Sequence, residues 1–344
     1  MNLISTRYAF TSAYLKGEES RCVSADHVDW MMQKSTMQDV LEVIENTDIG
    51  DYLRGQPIKT FDEADEYLWK YLGECLKRLE RFKPPSEIVH LANAYIKKYD
   101  ILNIKIAVRT VLMEKSAPMA LLGAIYNQGY LEKLSSIKSV DEIAEIIVMC
   151  NLGDYASLIK DIKEKDVISE AEIRLDRMYY EGLLSALRRI DDGHLVTKAV
   201  GIIIDLENLQ IVFRSVLGEK ESMVTEFVLE GGYMLSANTV REFLSLKMSE
   251  ITGRLEHTEY YQLAQEISKG FEKNGNITII NKLIDKLKFQ LLKDLLSPRV
   301  LSSSNMLWYL ILKEWEIRNV RLILKTLEDG IPPSEIKDYL VTAS

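Results

Sequence analysis

Apolar residues recur along this chain with the three-to-four-residue spacing of an amphipathic helix, and they do so over long stretches. The pattern predicts six long helices, at Phe61–Phe82, Pro85–Met113, Ile168–Ile190, Leu195–Leu217, Asn276–Ser297 and Ser303–Leu327. A shorter one is predicted from about Ile4 to Lys16, where Tyr8, Ala9, Ser12 and Leu15 form a small, apolar stripe that Gly17 ends. Strict alternation bounded by paired turn residues is almost absent, so the chain reads as all-α. Breaks fall at Lys83-Pro84-Pro85-Ser86, where prolines precede a Ser cap, and at the turn Asp191-Asp192-Gly193. Gly231-Gly232, Lys273-Asn274-Gly275-Asn276 and Ser302-Ser303-Ser304 read as flexible joints.

Three of the long helices carry one phrase in common. Tyr99 to Arg109, Ile204 to Arg214 and Trp315 to Lys325 align without a gap, each with an acid, an Asn three residues later, flanking aliphatics, a polar residue and a terminal cation. The acids Asp100, Asp205 and Glu316 stand 105 and 111 residues apart, a period longer than a solenoid unit and close to that of a small helical domain. On a helix each acid shares a side with its asparagine, Asn103, Asn208 or Asn319. The pairs Lys105 and Arg109, Gln210 and Arg214, and Arg321 and Lys325 stand at i and i+4 on another side. A mid-helix Asn costs roughly 0.5 kcal/mol relative to Ala, so its recurrence calls for a packing reason. Either each Asn satisfies a backbone group where helices cross, or the copies surround a pseudo-threefold axis and present a ring of polar groups to a partner.

A second repeated element precedes these helices. Short segments starting at Cys22, Gly129 and Gly232 close on Tyr52, Tyr155 and Tyr260-Tyr261, with Ser24, Thr36, Ser139 and Ser236 as expected N-caps. Pro118 follows the first signature helix and Pro332-Pro333 the third at nearly equal distance. The expected division is three helical repeats, residues 1–117, 118–220 and 221–344, with the first predicted helix a worn copy of the repeated one.

With 344 residues, 47% of them hydrophobic, the chain has material for sizeable cores. A formal charge of −9 argues against nucleic acid and leaves proteins as the expected partners. Cys22, Cys75 and Cys150 are odd in number and widely spaced, which suits a reducing compartment better than a disulfide framework. No signal-peptide pattern opens the sequence, and apolar runs such as Met119–Tyr126 and Met306–Leu312 are far short of a bilayer span of about 20 residues. No glycine-rich phosphate loop or nucleophile elbow occurs. His27, His90, His194 and His257 are scattered, and Asp191-Asp192-Gly193-His194 is the most site-like cluster, readable as a solvated turn. No catalytic, cofactor or metal residue is expected.

The helix around Arg7-Tyr8-Ala9, with Thr11, Ala13, Tyr14 and Leu15, the three acid-to-Asn helices, and the ending Trp315–Lys325 before Gly330–Ile336 together resemble the C subunit of the archaeal and bacterial A/V-type rotary ATPases, related to the d subunit of the vacuolar proton pump. The resemblance covers the whole chain. It implies a funnel of three similar helical domains about a pseudo-threefold axis, without catalytic residues or cofactor. It also implies a place in the central stalk, at the cytoplasmic face of the membrane. There such a protein receives the shaft made of the D and F subunits and carries its rotation to the proteolipid ring that moves H+ or Na+ as ATP is made or hydrolysed. The asparagines carry over as structural residues and the six polar and cationic positions as interface candidates, with Gln210 and Lys325 departing from the other copies. A generic helical adaptor, or an enzyme with a site assembled from distant segments, are the competing readings.

Overall fold

The structure is a computed structural model that describes residues 6–162, 167–190, 193–218 and 224–342. Among these residues there is no β-strand, in keeping with the all-α expectation. A 3-10 turn, Thr6–Tyr8, leads into α1 (Ala9–Glu19), followed by short α2 (Ala25–Met31), α3 (Met37–Val43) and α4 (Asp48–Leu53) and by long α5 (Phe61–Arg81) and α6 (Ser86–Met113). The rhythm then repeats with α7 (Ala124–Asn127), α8 (Leu131–Ser135), α9 (Val140–Met149) and α10 (Gly153–Lys160) before long α11 (Ile168–Leu187) and α12 (Gly193–Leu217). A further 3-10 turn, Val224–Phe227, opens the last round of α13 (Ala237–Phe243), α14 (Met248–Arg254), α15 (Tyr261–Asn274), α16 (Thr278–Leu296), α17 (Ser304–Glu328) and α18 (Pro333–Ile336).

The chain forms two compact units, one of Met1–Ala156 with Arg299–Ser344 and one of Ser157–Pro298. In the first, α17 is the centre, packed by α1, α2, α3, α5, α6 and α18. Residues 302–313 are buried without interruption: residues 306–312 are apolar on every side, as a helix enclosed by neighbours requires, and Ser302, Ser303, Ser304, Asn305 and Lys313 are buried polar residues at the ends of that run. In the second, α12 packs against α11, α13, α14 and α16. Leu206, Leu209, Val212 and Phe213 meet Phe243, Ile251, Tyr260, Ile267, Ile280 and Ile284 in its core.

Local chemistry explains the element ends. Ser24, Thr36, Ser139 and Ser236 accept the backbone N–H of His27, Asp39, Glu142 and Thr239, as expected of N-caps. At the start of α5, Thr60 accepts the N–H of Glu63 while the Glu63 carboxylate accepts that of Thr60, so two orphan donors are satisfied reciprocally. The helix then buries Ala64, Leu68, Tyr71, Leu72, Cys75 and Leu79 on one face. Thr60→Ala is expected to cost about 1 kcal/mol, seen as a lower urea midpoint with unchanged slope; an unmoved midpoint would show that the capping box adds nothing.

Four expectations are corrected. Helix α1 runs through Gly17 to Glu19, because Leu15 and Glu18 are buried and Trp308 of α17 donates to the Glu19 carboxylate at 3.0 Å. Ser86 is the first residue of α6 and not its cap; Pro85 holds that place, and the Ser86 hydroxyl turns to Glu87. Ser302, Ser303 and Ser304 are a buried corner where a flexible joint was expected: Ser302 bonds the Ser304 hydroxyl and N–H, and Asn305 donates to Ser12. The fourteen-residue α15 was not foreseen. The Asp191-Asp192 turn lies outside the described residues.

Candidate functional site

The three asparagines make the same connection. Asn103 donates to the carbonyl of Ala120 at 3.0 Å and accepts its N–H at 2.8 Å. Asn208 holds Leu229 in this way at 2.9 and 2.8 Å, and Asn319 holds Val341 at 2.6 and 3.2 Å. The partners lie 17, 21 and 22 residues downstream, in non-helical segments that return along the helix. The backbone groups satisfied are thus in these returning segments and not at helix crossings. A primary amide offers a donor and an acceptor side by side at any pH, which an ionised carboxylate, an acceptor only, and a single hydroxyl oxygen do not.

The acids work beside them on the next stretch of chain. Asp100 accepts the N–H groups of Ala124 and Ile125 at 2.9 Å each. Asp205 accepts those of Met234 and Leu235 at 2.7 and 3.2 Å, together with the Tyr260 hydroxyl at 2.8 Å. Burial pushes both carboxyls up, and the backbone N–H bonds pull them back. A glycine lets the backbone approach in each case: a Cβ on Gly123 or Gly232 would collide with the Asp100 or Asp205 carboxylate. The Gly231-Gly232 pair is therefore a close-packed seat for Asp205, with Gly231 at φ +95°.

The third acid finds its partner at the other end of the chain. Glu316 accepts the N–H of Val23, 293 residues earlier, at 2.8 Å. Val23 stands just before the cap Ser24 of α2, as Leu235 stands just before the cap Ser236 of α13. Val23 thus meets the third acid from the same position before a helix cap as Leu235 meets the second.

The six polar and cationic positions are distributed unevenly. Arg321 pairs with Asp65 of α5 and stacks 4.8 Å from the Trp69 ring, while Lys325 reaches Glu328 and Asp329 at 2.8 and 2.9 Å. Gln210 and Arg214 both donate to Asn281 of α16, at 2.8 and 2.9 Å. On α6, Lys105 is half-buried and Arg109 exposed. Gln210, Arg214 and Arg321 therefore meet a long helix within their own unit, while Lys325 forms its ion pairs at the end of its own helix.

Sequence reasoning missed a buried ionic centre beside Glu316. Lys313 is fully buried, and its Nζ donates to the Tyr71 hydroxyl at 2.6 Å and to Glu316 at 3.0 Å, with Asp48 at 3.4 Å. The Tyr71 hydroxyl donates in turn to Asp48 at 2.6 Å, and Arg78 donates to both Asp48 oxygens at 2.8 Å. Burial opposes the charge on Lys313, but Glu316 above all holds it positive. Burial and then Asp48 push the Glu18 carboxyl up. The available signal was a lysine three residues before an acid at the end of the apolar run Met306–Leu312.

Asp48 gives this centre a pH signature. Burial works against its charge, yet the bonds from Arg78, then Lys313 and Tyr71, hold its carboxyl well below the usual range. A carboxyl held low contributes stability above its unfolded value of about 4 and loses it as pH falls from there towards the folded value. Asp48→Asn is expected to be less stable than the native chain at neutral pH, with the gap closing below about pH 4. Acid urea titrations in which the gap stays constant would rule the charge out as the cause.

Among the described residues no group of three or more His, Cys, Asp or Glu is arranged to hold a metal ion, and no helix is long and apolar enough to cross a membrane. Cys22, Cys75 and Cys150 are free thiols. The residues gathered here join chain to chain through backbone N–H, carbonyl and buried charge, which is the chemistry of a rigid framework. A family model described as ATP synthase (C/AC39) subunit matches residues 11–339. The C subunit of the A-type ATP synthase of Methanocaldococcus jannaschii is 24% identical, with 97% of this chain and 86% of that protein aligned. Its counterpart in Pyrococcus abyssi is 22% identical, over 97% of this chain and 90% of its own. The one in Methanobrevibacter smithii is 24% identical, over 90% and 84%.

Proposed function

The chain belongs to the ATP synthase (C/AC39) subunit family, and from that premise we propose that it is the C subunit in the central stalk of a rotary A/V-type ATPase, a non-catalytic part of an ATP-making or ATP-consuming complex. It couples a rotating shaft of D and F subunits to a proteolipid ring at the cytoplasmic face of the membrane, so that H+ or Na+ movement and ATP chemistry proceed together. In this reading the three repeats, 1–117, 118–220 and 221–344, are similar domains about a pseudo-threefold axis that form a funnel, the shaft entering its opening.

The observation that carries the proposal is the thrice-repeated tie of Asn103, Asn208 and Asn319 to one downstream residue each, with the third acid completed by the start of the chain. A repeat whose last copy borrows from the first is what a closed arrangement of three units requires. Transmitting torque calls for stiffness, and long helices packed on buried cores supply it, since close-packed interiors are poorly compressible.

Reconstitution tests the role directly. The full chain is expected to bind both purified proteolipid ring and D/F shaft, and its omission to leave ATP hydrolysis running without ion pumping. A complex that pumps equally well without the chain, or a chain that binds neither partner, would overturn the proposal.

A further inference from the structure

In a chain with a net charge of −9, three guanidiniums line one cavity of about 540 Å³ in the second unit. Arg174 and Arg177 stand three residues apart on α11 and share a face; Arg241 comes from α13. Thr225 and Glu226 of the 3-10 turn, Ile173 and Glu170 complete the lining. Two of the arginines have carboxylate partners, Arg174 with Glu170 at 2.5 Å and Arg241 with Glu230 at 3.0 Å.

Arg177 differs. Its Nη2 donates to the Glu226 carbonyl at 2.6 Å, but its Nε is buried without a hydrogen-bond partner. Among the described residues no carboxylate pairs with it. The Nε is closed to solvent, so what Arg177 offers the cavity is the terminal end of its guanidinium, whose planar donors can meet two oxygens of one anion. With Glu230 on Arg241 counted beside Glu170 and Glu226, the three guanidiniums meet three carboxylates and the site is balanced in charge, with Arg177 alone lacking a carboxylate partner, which suits one small oxyanion and not a polyanion. The volume lies within the range of small-molecule sites and exceeds what bare phosphate needs, and Ile173 offers an apolar wall.

We propose that this cavity binds a phosphoryl oxyanion, with Arg177 as the central donor and Arg174, Arg241 and the Thr225 hydroxyl around it. The anion is free phosphate or the phosphate of a small organic molecule or lipid headgroup, all of which present the same oxygens. The coupling role proposed above rests on none of these residues, so each reading fails or stands alone.

The test is calorimetric titration of the full chain with inorganic phosphate, with ADP, and with phosphatidylcholine vesicles containing phosphatidic acid. Binding of one phosphate or ADP per chain is expected, weakened about tenfold by Arg177→Gln through loss of a charge-assisted fork and competed by sulfate. Binding of vesicles alone would assign the headgroup as the source. Because Thr225 is exposed, Thr225→Glu brings a repelling charge to the cavity without disturbing the core, and it should abolish binding while melting and helix content stay unchanged. Absence of binding in every arm, or binding unaltered by both substitutions, overturns the site.

Discussion

Lys313→Met is expected to destabilise the first unit by about 3–5 kcal/mol, the cost of stripping one partner from a buried charge pair. Met matches the lysine stem in length, so packing changes little and the effect isolates the ammonium. Without it, Asp48, 2% exposed at its side chain, keeps Arg78 at 2.8 Å and Arg21 at 3.8 Å, whereas Glu316, 1% exposed, is left without a close cation among the described residues. Glu316 keeps the Val23 N–H but loses its counter-charge. Adding Glu316→Gln removes the stranded charge while preserving an acceptor for Val23, so the double variant should recover part of the loss, with a coupling of about 0.5–3 kcal/mol. All four tryptophans, Trp30, Trp69, Trp308 and Trp315, lie in the first unit, so the urea transition followed by their fluorescence reports that unit. A midpoint equal to that of the native chain, or strictly additive losses, would show that the centre is not a stabilising network.

The six long helices were readable because each buries one face against a core, and their ends fall within about three residues of the expected ones. Helix α15 was overlooked for a related reason. Its stripe of Leu263, Ala264, Ile267 and Phe271 is narrow, and Ser268-Lys269-Gly270 interrupts it just where a reader would stop. Gly17 and Ser302–Ser304 misled in the same direction: residues that usually mark breaks were absorbed by tertiary packing, Gly17 within a helix held down by its neighbours and the serines by bonding one another.

The repeated acid and asparagine could be found by alignment, yet their partners could not. Ala120, Leu229 and Val341 give only main-chain atoms to the tie, and although their side chains are buried, an Ala, a Leu and a Val share no residue type that marks the place. The Lys313 centre draws on residues 48, 71, 78, 313 and 316, and buried charge has no periodicity to betray it. What sequence does carry is the need for the tie: an asparagine at an unfavourable mid-helix position, three times over.

That need can be measured. Asn208→Leu fills a similar volume but strands both the N–H and the C=O of Leu229, a residue 5% exposed, and each unpaired group costs about 1–3 kcal/mol. The hydrogen exchange of the Leu229 amide should accelerate with the loss, and Asn103→Leu and Asn319→Leu should act likewise at Ala120 and Val341. Asn208→Asp separates the two halves of the tie, because a carboxylate can accept the Leu229 N–H but repels its carbonyl. The introduced carboxyl lies buried beside Asp205, so its folded pKa is raised; protonated, it can donate to the Leu229 carbonyl. A raised carboxyl contributes its stability below the unfolded value and loses it as pH rises through the folded one. The aspartate variant should therefore gain on the leucine variant as pH falls towards about 4. If Leu229 exchanges no faster in either variant, the asparagine is not what holds the returning chain, and the thrice-repeated tie loses its physical basis.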